Sequence, residues 1–241
     1  MQSMDGRVVV VIGGTGSIGA ATAKRFAEAG ATVCVTQRAR PDRALSEAGF
    51  RVYQADVADT QSLTALRGSL EQDHGRIDLL VHASGFTRAI AHADLDALTD
   101  AVIDDMLAVN WRGQFATLRE LAPLLRKGER PLSVFISSIS GMNGIGSNIA
   151  YCAAKAGIDV MVKSLARALA PDIRVMGVAP GVVDNSFVPG RDKSASDKIA
   201  ASVPLRRIAT PEDIADAIFA CDTALGYATG TTLVMDGGRL L

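Results

Sequence analysis

Tyr151 and Lys155 stand four residues apart, and Ser138 precedes the tyrosine by thirteen positions. Residues of these types at this spacing can move a proton onto or off a carbonyl oxygen. A helix running from about Ala150 places the phenol and the ammonium on one face, one turn apart. A tyrosine hydroxyl titrates near ~10 in isolation, too high for efficient exchange near neutrality, and an adjacent cation brings it down by favouring the phenolate. A serine hydroxyl delivered from the end of a strand can hold a substrate oxygen against the phenol. Y-x-x-x-K by itself is a common surface pair on helices, so its meaning rests on the elements around it.

The first of those elements is the N-terminal run Arg7–Ile12, followed at once by Gly13-Gly14-Thr15-Gly16-Ser17-Ile18-Gly19 and an Ala-rich helical stretch to Ala29. A glycine loop between a buried strand and a helix N-terminus is a phosphate site, because backbone N–H groups and the positive helix end face the ligand and the missing side chains permit close approach. Strand candidates near 7–12, 31–36, 51–54, 77–82, 132–137, 173–178 and 230–235 alternate with helical or Ala-rich segments. The alternation predicts an α/β, doubly wound fold, a mostly parallel seven-stranded sheet with helices on both faces. The glycine loop, Asp56, the His82–Gly85 segment, Ser138 and Pro180-Gly181 each follow a predicted strand, so they converge on one sheet edge.

With 241 residues, 48% hydrophobic, the chain is expected to form one domain over residues 1–241. A formal net charge of −1 gives no global field for nucleic acid or an anionic membrane. Three cysteines without C-x-x-C spacing are read as ordinary thiols of a reducing compartment. His74, His82 and His92 lack ligand spacing, so no metal is expected. No apolar run is long enough to span a bilayer and no leader pattern precedes the first strand, so the expected location is the cytoplasm.

Over nearly its whole length the sequence resembles the short-chain dehydrogenase/reductases in their compact form. The resemblance is carried by the glycine loop, Asp56-Val57, Asn110, Ser138/Tyr151/Lys155, Pro180-Gly181, Pro211-Glu212-Asp213-Ile214-Ala215 and Thr229-Gly230 through Asp236-Gly237-Gly238. It implies a nicotinamide-dependent interconversion of a carbonyl and a secondary alcohol. In that scheme Tyr151 is the general acid/base, and Lys155 lowers its pKa and binds the nicotinamide ribose. Ser138 orients the carbonyl, and Asn110 supports a water-linked relay. The implied cofactor contacts are Gly13, Thr15, Gly16, Ser17, Ile18, Gly19, Gln37, Arg38, Asp56, Val57, Ala83, Ser84, Gly85, Asn110, Tyr151, Lys155, Pro180, Gly181, Val183 and Asn185.

Departures from the family pattern refine this. Ile12 and Ser17 stand where the compact form has threonine and glycine, giving a G-x-x-G-x-x-G spacing that resembles the extended branch of epimerases and dehydratases. That branch carries a larger C-terminal region than the short stretch after Lys155 here. His82 sits in Val81-His82-Ala83-Ser84-Gly85, where N-N-A-G is common, and is read as lining the adenosine side of the cofactor rather than as a base. Asn185 replaces a frequent threonine, and its amide can reach the nicotinamide carboxamide. At the end of the second strand, NAD-preferring members carry an acidic residue; here Gln37 and Arg38 favour NADP(H), the guanidinium pairing with a 2′-phosphate, while NAD(H) stays open.

Residues from Asn185 to about Val203, with Gly190, Arg191, Asp192, Lys193, Ser194 and Ser196, read as a polar substrate loop. Val203-Pro204-Leu205-Arg206-Arg207 is closest to the β-ketoacyl-[acyl-carrier-protein] reductase group, so an NADPH-dependent ketone or 3-oxoacyl reductase is expected. A non-catalytic NADP-binding sensor and a redox-neutral epimerase or dehydratase are the alternatives. Arg126, Lys127 and Arg130 are read as solvated charges before an acyl-carrier docking patch. Apolar positions in segments 98–122 and 150–170, among them Val102, Met106, Val109, Phe115, Leu118, Ile158, Met161, Val162, Leu165 and Leu169, exceed what one sheet face needs and point to a homotetramer or homodimer.

Overall fold

A computed structural model describes residues 3–38, 43–185, 187–190 and 193–241. Seven strands, β1 (Val8–Ile12), β2 (Thr32–Gln37), β3 (Arg51–Gln54), β4 (Leu79–His82), β5 (Leu132–Ile136), β6 (Arg174–Pro180) and β7 (Thr232–Met235), form one sheet in the order β3-β2-β1-β4-β5-β6-β7. Every pairing is parallel, so the "mostly parallel" expectation becomes wholly parallel. The chain steps outward from β1 to β3, then returns to the other side of β1 for β4. The gap between β1 and β4 is the switch point, where such sheets bind ligands beyond their carboxyl ends.

The run Val8-Val9-Val10-Val11-Ile12 is buried at every position because helices cover both faces. Alternate residues enter opposite cores: Val8, Val10 and Ile12 pack with Leu63, Leu66, Leu121 and Ile158, whereas Val9 and Val11 pack with Phe26, Ile214 and Ile218. The first core lies under α3 (Thr60–His74), α5 (Gly113–Leu125) and α7 (Ile149–Leu169), the second under α1 (Ser17–Ala27) and α9 (Pro211–Thr223). Shorter helices are α2 (Arg43–Glu47), α4 (Asp100–Leu107), α6 (Ser140–Asn143) and α8 (Lys193–Ser202).

Between α4 and α5 the chain widens into a π-helical turn, Ala108–Arg112, in which the Gly113 N–H donates to Ala108 O five residues back. Gly113 has no room for a side chain, since a Cβ would lie 2.8 Å from Val57 O. Several positions assigned to a subunit interface prove to be buried within this chain: Leu118, Ile158, Met161 and Val162 lie in the core under the sheet, and Val102 and Met106 are buried on α4. Exposed apolar side chains on these helices are instead Leu107, Trp111, Phe115, Ile149 and Val160.

Candidate active site

The glycine loop is folded back against the switch point. Gly13 has φ +83°, and a Cβ there would sit 2.8 Å from the Ser84 backbone; at Gly19 it would meet Gly13 O at 2.2 Å. Both glycines are therefore required by packing of the loop on itself and on the segment after β4. Gly16 differs, its nearest neighbour lying 3.4 Å away, and it borders open space. It also begins α1 without a side-chain cap, and the first turn carries no acidic residue. The α1 N-terminus thus presents unpaired N–H groups and its dipole to the cavity.

That cavity, of about 670 Å³, opens beyond the carboxyl ends of β1, β4, β5 and β6. Gly16, Ser17, Ile18, Ala83, Ser84 and Gly85 line one side. Ser138, Tyr151 and Lys155 line its floor, and Pro180, Gly181, Val183 and Asn185 the other side. Gly13, Thr15 and Gly19 shape the loop behind this wall. Gln37 is buried at the end of β2, and Arg38 follows, exposed. Asp56, whose Oδ1 accepts from Ala58 N (2.9 Å), and buried Val57 stand beyond β3, away from the cavity wall. Of the predicted substrate loop, Phe187, Val188, Ile199 and Ser202 reach the cavity, while Arg191 and Asp192 lie outside the described residues.

The catalytic candidates are held by backbone on several sides. Asn148, fully buried, caps α7 by accepting from Tyr151 N (2.7 Å) and donates to Arg88 O (2.8 Å). It fixes the helix start, and hence the tyrosine, to the loop after β4. The Lys155 ammonium donates to Ile136 O (2.7 Å), and Ser137 Oγ returns a bond to Lys155 O (3.1 Å), tying α7 to the end of β5. Ser138 Oγ accepts from Ser140 N (3.1 Å) and is hydrogen-bonded to the Tyr151 hydroxyl.

Burial raises the Tyr151 phenol well above its ordinary range, with the Ser138 bond opposing. Burial lowers the Lys155 ammonium to about 8, opposed by the Asp159 carboxylate one turn along α7. The expected pull of the lysine on the phenol is not seen in this arrangement. The ammonium lies 5.7 Å from the phenol ring centroid and is aimed at the Ile136 carbonyl, which satisfies the desolvated cation.

One further expectation is corrected. His82 does not line the cavity: it is fully buried, its ring stacks on Phe135 (centroids 4.0 Å apart, planes 6° apart), and Nε2 meets Ser133 Oγ at 3.0 Å. Its place in the strand alternation turns it into the core, whatever stands there in the family pattern. Asn110, in the π-helical turn, is also buried and off the cavity wall. Its Nδ2 donates to Phe86 O and Met106 O (3.0 Å each), and Oδ1 accepts from Phe86 N (3.2 Å), so the amide braces the loop after β4.

Arg126, Lys127 and Arg130 precede β5 at the amino edge of the sheet, remote from the cavity, and Lys127 pairs with Glu71 (2.9 Å). Ser17 and Asn185, both departures from the family pattern, bond to one another across the cavity mouth, Nδ2 to Oγ at 3.1 Å.

The profile of the enoyl-(acyl carrier protein) reductase family matches residues 13–239. Cis-4-hydroxycyclohexanecarboxylate dehydrogenase of Sinomonas cyclohexanicum is 35% identical over 96% of each chain. The 3-oxoacyl-[acyl-carrier-protein] reductase of Thermotoga maritima is 30% identical over 99% of each. The chain is a short-chain dehydrogenase/reductase. A solved member of the family, the short-chain dehydrogenase/reductase SDR:glucose/ribitol dehydrogenase of Brucella melitensis, superposes over 100% of both chains with a TM-score of 0.90 at 28% identity. Like other short-chain dehydrogenase/reductases, the protein is an oxidoreductase of CH–OH and C=O groups that uses a nicotinamide cofactor.

Sequence reasoning had passed over Asn148 and Arg239. Asn148 carries a signal, a capping residue three positions before Tyr151 at the head of an Ala-rich helix. Arg239, which also lines the cavity, carries none, because only the folding of the C-terminal tail brings it there.

Proposed function

We propose that the protein is an NADP(H)-dependent reductase of ketones, with Ser138, Tyr151 and Lys155 as its catalytic set. The observation that carries this is the single cavity wall shared by these three side chains and the uncapped start of α1. The fit to a dinucleotide is argued from the crowding at Gly13 and Gly19 beside the open Gly16, and from Ser84 Oγ, a buried hydroxyl on the cavity wall without a hydrogen-bond partner. Gly16, Ser17 and Ile18 would hold the phosphates, Lys155 the nicotinamide ribose and Asn185 the carboxamide. Gln37 and Arg38 would meet the adenosine ribose. When bound, the cofactor supplies or accepts the hydride.

The chain's own residues handle the oxygen and its proton. Ser138 donates to the substrate oxygen and keeps it beside the phenol, and Tyr151 gives or takes the proton. A raised phenol pKa favours the donor state, suited to reduction; Lys155, once drawn from Ile136 O, lowers it toward exchange. Asn110 acts here as the brace of the loop after β4. The fit of the reading to reduction, together with the absence of any acidic side chain at positions 37 and 38, supports NADPH over NADH.

Leu107, Trp111, Phe115 and Val160, exposed on neighbouring helical faces, support assembly into a homodimer or homotetramer. The cytoplasm remains the proposed location. A sensor function is less well supported, because it leaves the Ser138–Tyr151 pair without a task.

Cofactor titration tests the assignment. Arg38→Ala should weaken NADPH by about tenfold to a hundredfold, the range of a charge-assisted bond, and leave NADH nearly unchanged. Tighter binding of NADH than NADPH by the wild type would overturn the NADP preference, and equal weakening of both by the variant would remove Arg38 from it.

A further inference from the structure

Resting on the carbonyl–alcohol reading above, we propose that Arg239 binds a carboxylate on the substrate, so that the enzyme acts on a ketone or alcohol with one anionic group beyond an apolar body. Arg239 shares the cavity with Tyr151 and Ser138, and Ile145, Phe187, Val188 and Ile199 contribute apolar wall to the same space. The arginine is half-buried, and among the described residues its guanidinium has one hydrogen bond, from Nη1 to Ser202 Oγ at 3.1 Å. Ser202 Oγ in turn donates to Ile199 O (2.7 Å). Among the described residues no carboxylate pairs with Arg239. Arg7, Arg25 and Arg207 by contrast each meet an aspartate. A guanidinium held against an apolar wall with unused donors is completed by an anion that enters with the ligand.

The tail that carries it is built to hold it there. The Asp236 carboxylate accepts from Gly238 N and Leu240 N, both at 2.8 Å, closing a turn just before and after the arginine. Gly237 and Gly238 adopt φ +65° and +88°, and a Cβ on them would come within 2.7 Å of Val203 and 3.0 Å of Pro204. Gly181 lets Asp236 approach the end of β6, since a Cβ there would stand 2.8 Å from Asp236 Cα. The turn is thus fixed to the same strand end that borders the cavity, and the backbone of Arg239 with it.

Charge selects the anion. Lys155 is the other cation among the described lining residues, and its ammonium is engaged by Ile136 O. One positive charge without a carboxylate partner among the described residues matches a carboxylate monoanion better than a phosphate dianion. The carboxylate takes no part in the bond changes: the carbonyl carbon gains a hydride from the reduced nicotinamide, its oxygen gains a proton from Tyr151, and the acid group is unchanged.

The test uses the full chain with 4-oxocyclohexanecarboxylate and its methyl ester. The wild type should prefer the acid in kcat/KM, and Arg239→Ala should reduce the acid-to-ester ratio by about tenfold to a hundredfold, chiefly through KM, with Arg239→Lys restoring part of it. Cyclohexanecarboxylate, which has no ketone, gives a second readout: its calorimetric affinity for the cofactor-loaded enzyme should fall by a similar factor in Arg239→Ala. An unchanged ratio with an unchanged titration overturns the proposal. If neither ketone is reduced with either cofactor while cyclohexanecarboxylate binds in an Arg239-dependent way, the carbonyl reading fails and the carboxylate site stands. Dependence on Arg239 confined to a phosphopantetheine thioester would move the anion to phosphate and overturn the assignment.

Discussion

At the amino edge of the sheet, Arg7 donates to Asp222 at 2.7 Å and to Glu129 O at 2.7 Å. Asp78, fully buried, accepts from Val8 N (2.7 Å) and Glu129 N (2.6 Å), and Arg174 ties Leu225 O, Ala228 O and Cys221 O together. At the carboxyl edge the ionisable groups have few partners of this kind. Lys155 rests on one carbonyl, the Tyr151 hydroxyl on Ser138, and Arg239 on one serine. Charges of the first edge connect loops to strands within the protein; those of the second are set on a cavity wall with bonding capacity to spare. The same sheet therefore uses one end to hold itself together and leaves the other for a ligand, which is the division that parallel α/β sheets allow because all loops after strands meet on one side.

The contrast breaks most visibly at Tyr151. Removing its hydroxyl in Tyr151→Phe should lower turnover by about 10²–10⁴-fold, the span of general acid–base catalysis, while the melting temperature and cofactor affinity stay close to wild type. Near-normal reduction across a ketone panel would take the phenol out of the chemistry. A matched loss of stability would make it a structural residue like those of the opposite edge.

Asp222→Ala should do the reverse. Burial pushes the Asp222 carboxyl above its usual range, with Arg7 opposing, and both Arg7 Nε and Asp222 Oδ2 lack a hydrogen-bond partner among the described residues. The pair is therefore costly to hold and costlier to break. Leaving Arg7 buried without its counter-ion should cost about 3–5 kcal/mol of stability, whereas Arg7→Met with Asp222→Leu should recover most of it. Thermal denaturation and kcat per folded molecule separate the two effects. Were Asp222→Ala to reduce kcat at unchanged stability, the division of labour between the edges would be wrong.

Much of this arrangement is legible in the sequence because it follows from local chemistry. The β-branched run Val8–Ile12, the glycine loop and the Y-x-x-x-K step declare strand, turn and helix face without reference to distant residues. What escapes is set by tertiary contact. Asn110 is named by the family pattern, but the bonds of its amide to the Phe86 backbone appear only once the π-helical turn has formed. Arg239 has no motif, and its role depends on a turn that packs onto Val203 and Pro204 more than thirty positions earlier. The apolar excess on α5 and α7 is real in count, but composition cannot divide core from surface; burial assigns Leu118 and Ile158 to one and Phe115 and Val160 to the other.

His82 sharpens the comparison, since it stands at the carboxyl end of β4 yet keeps company with the core. Its contacts are Ser133 Oγ and the Phe135 ring, and burial lowers its imidazole to about 3. In the fold it is neutral at any pH well above that value, while in the unfolded chain it takes a proton below its ordinary 6.5. Between these limits the unfolded state binds the extra proton, so stability falls as pH drops from about 6.5 toward 3, by up to ~1.4 kcal/mol per pH unit. By pH 5 this one group should have removed about 2 kcal/mol. His82→Asn, which cannot titrate, should flatten the decline in melting temperature between pH 6.5 and 5 even if the loss of the stacked ring lowers the curve as a whole. The slope is the measurement that matters. An acid slope in His82→Asn equal to that of the wild type would mean that His82 gains its proton inside the fold. The residue would then belong with the open, ligand-facing groups of the carboxyl edge.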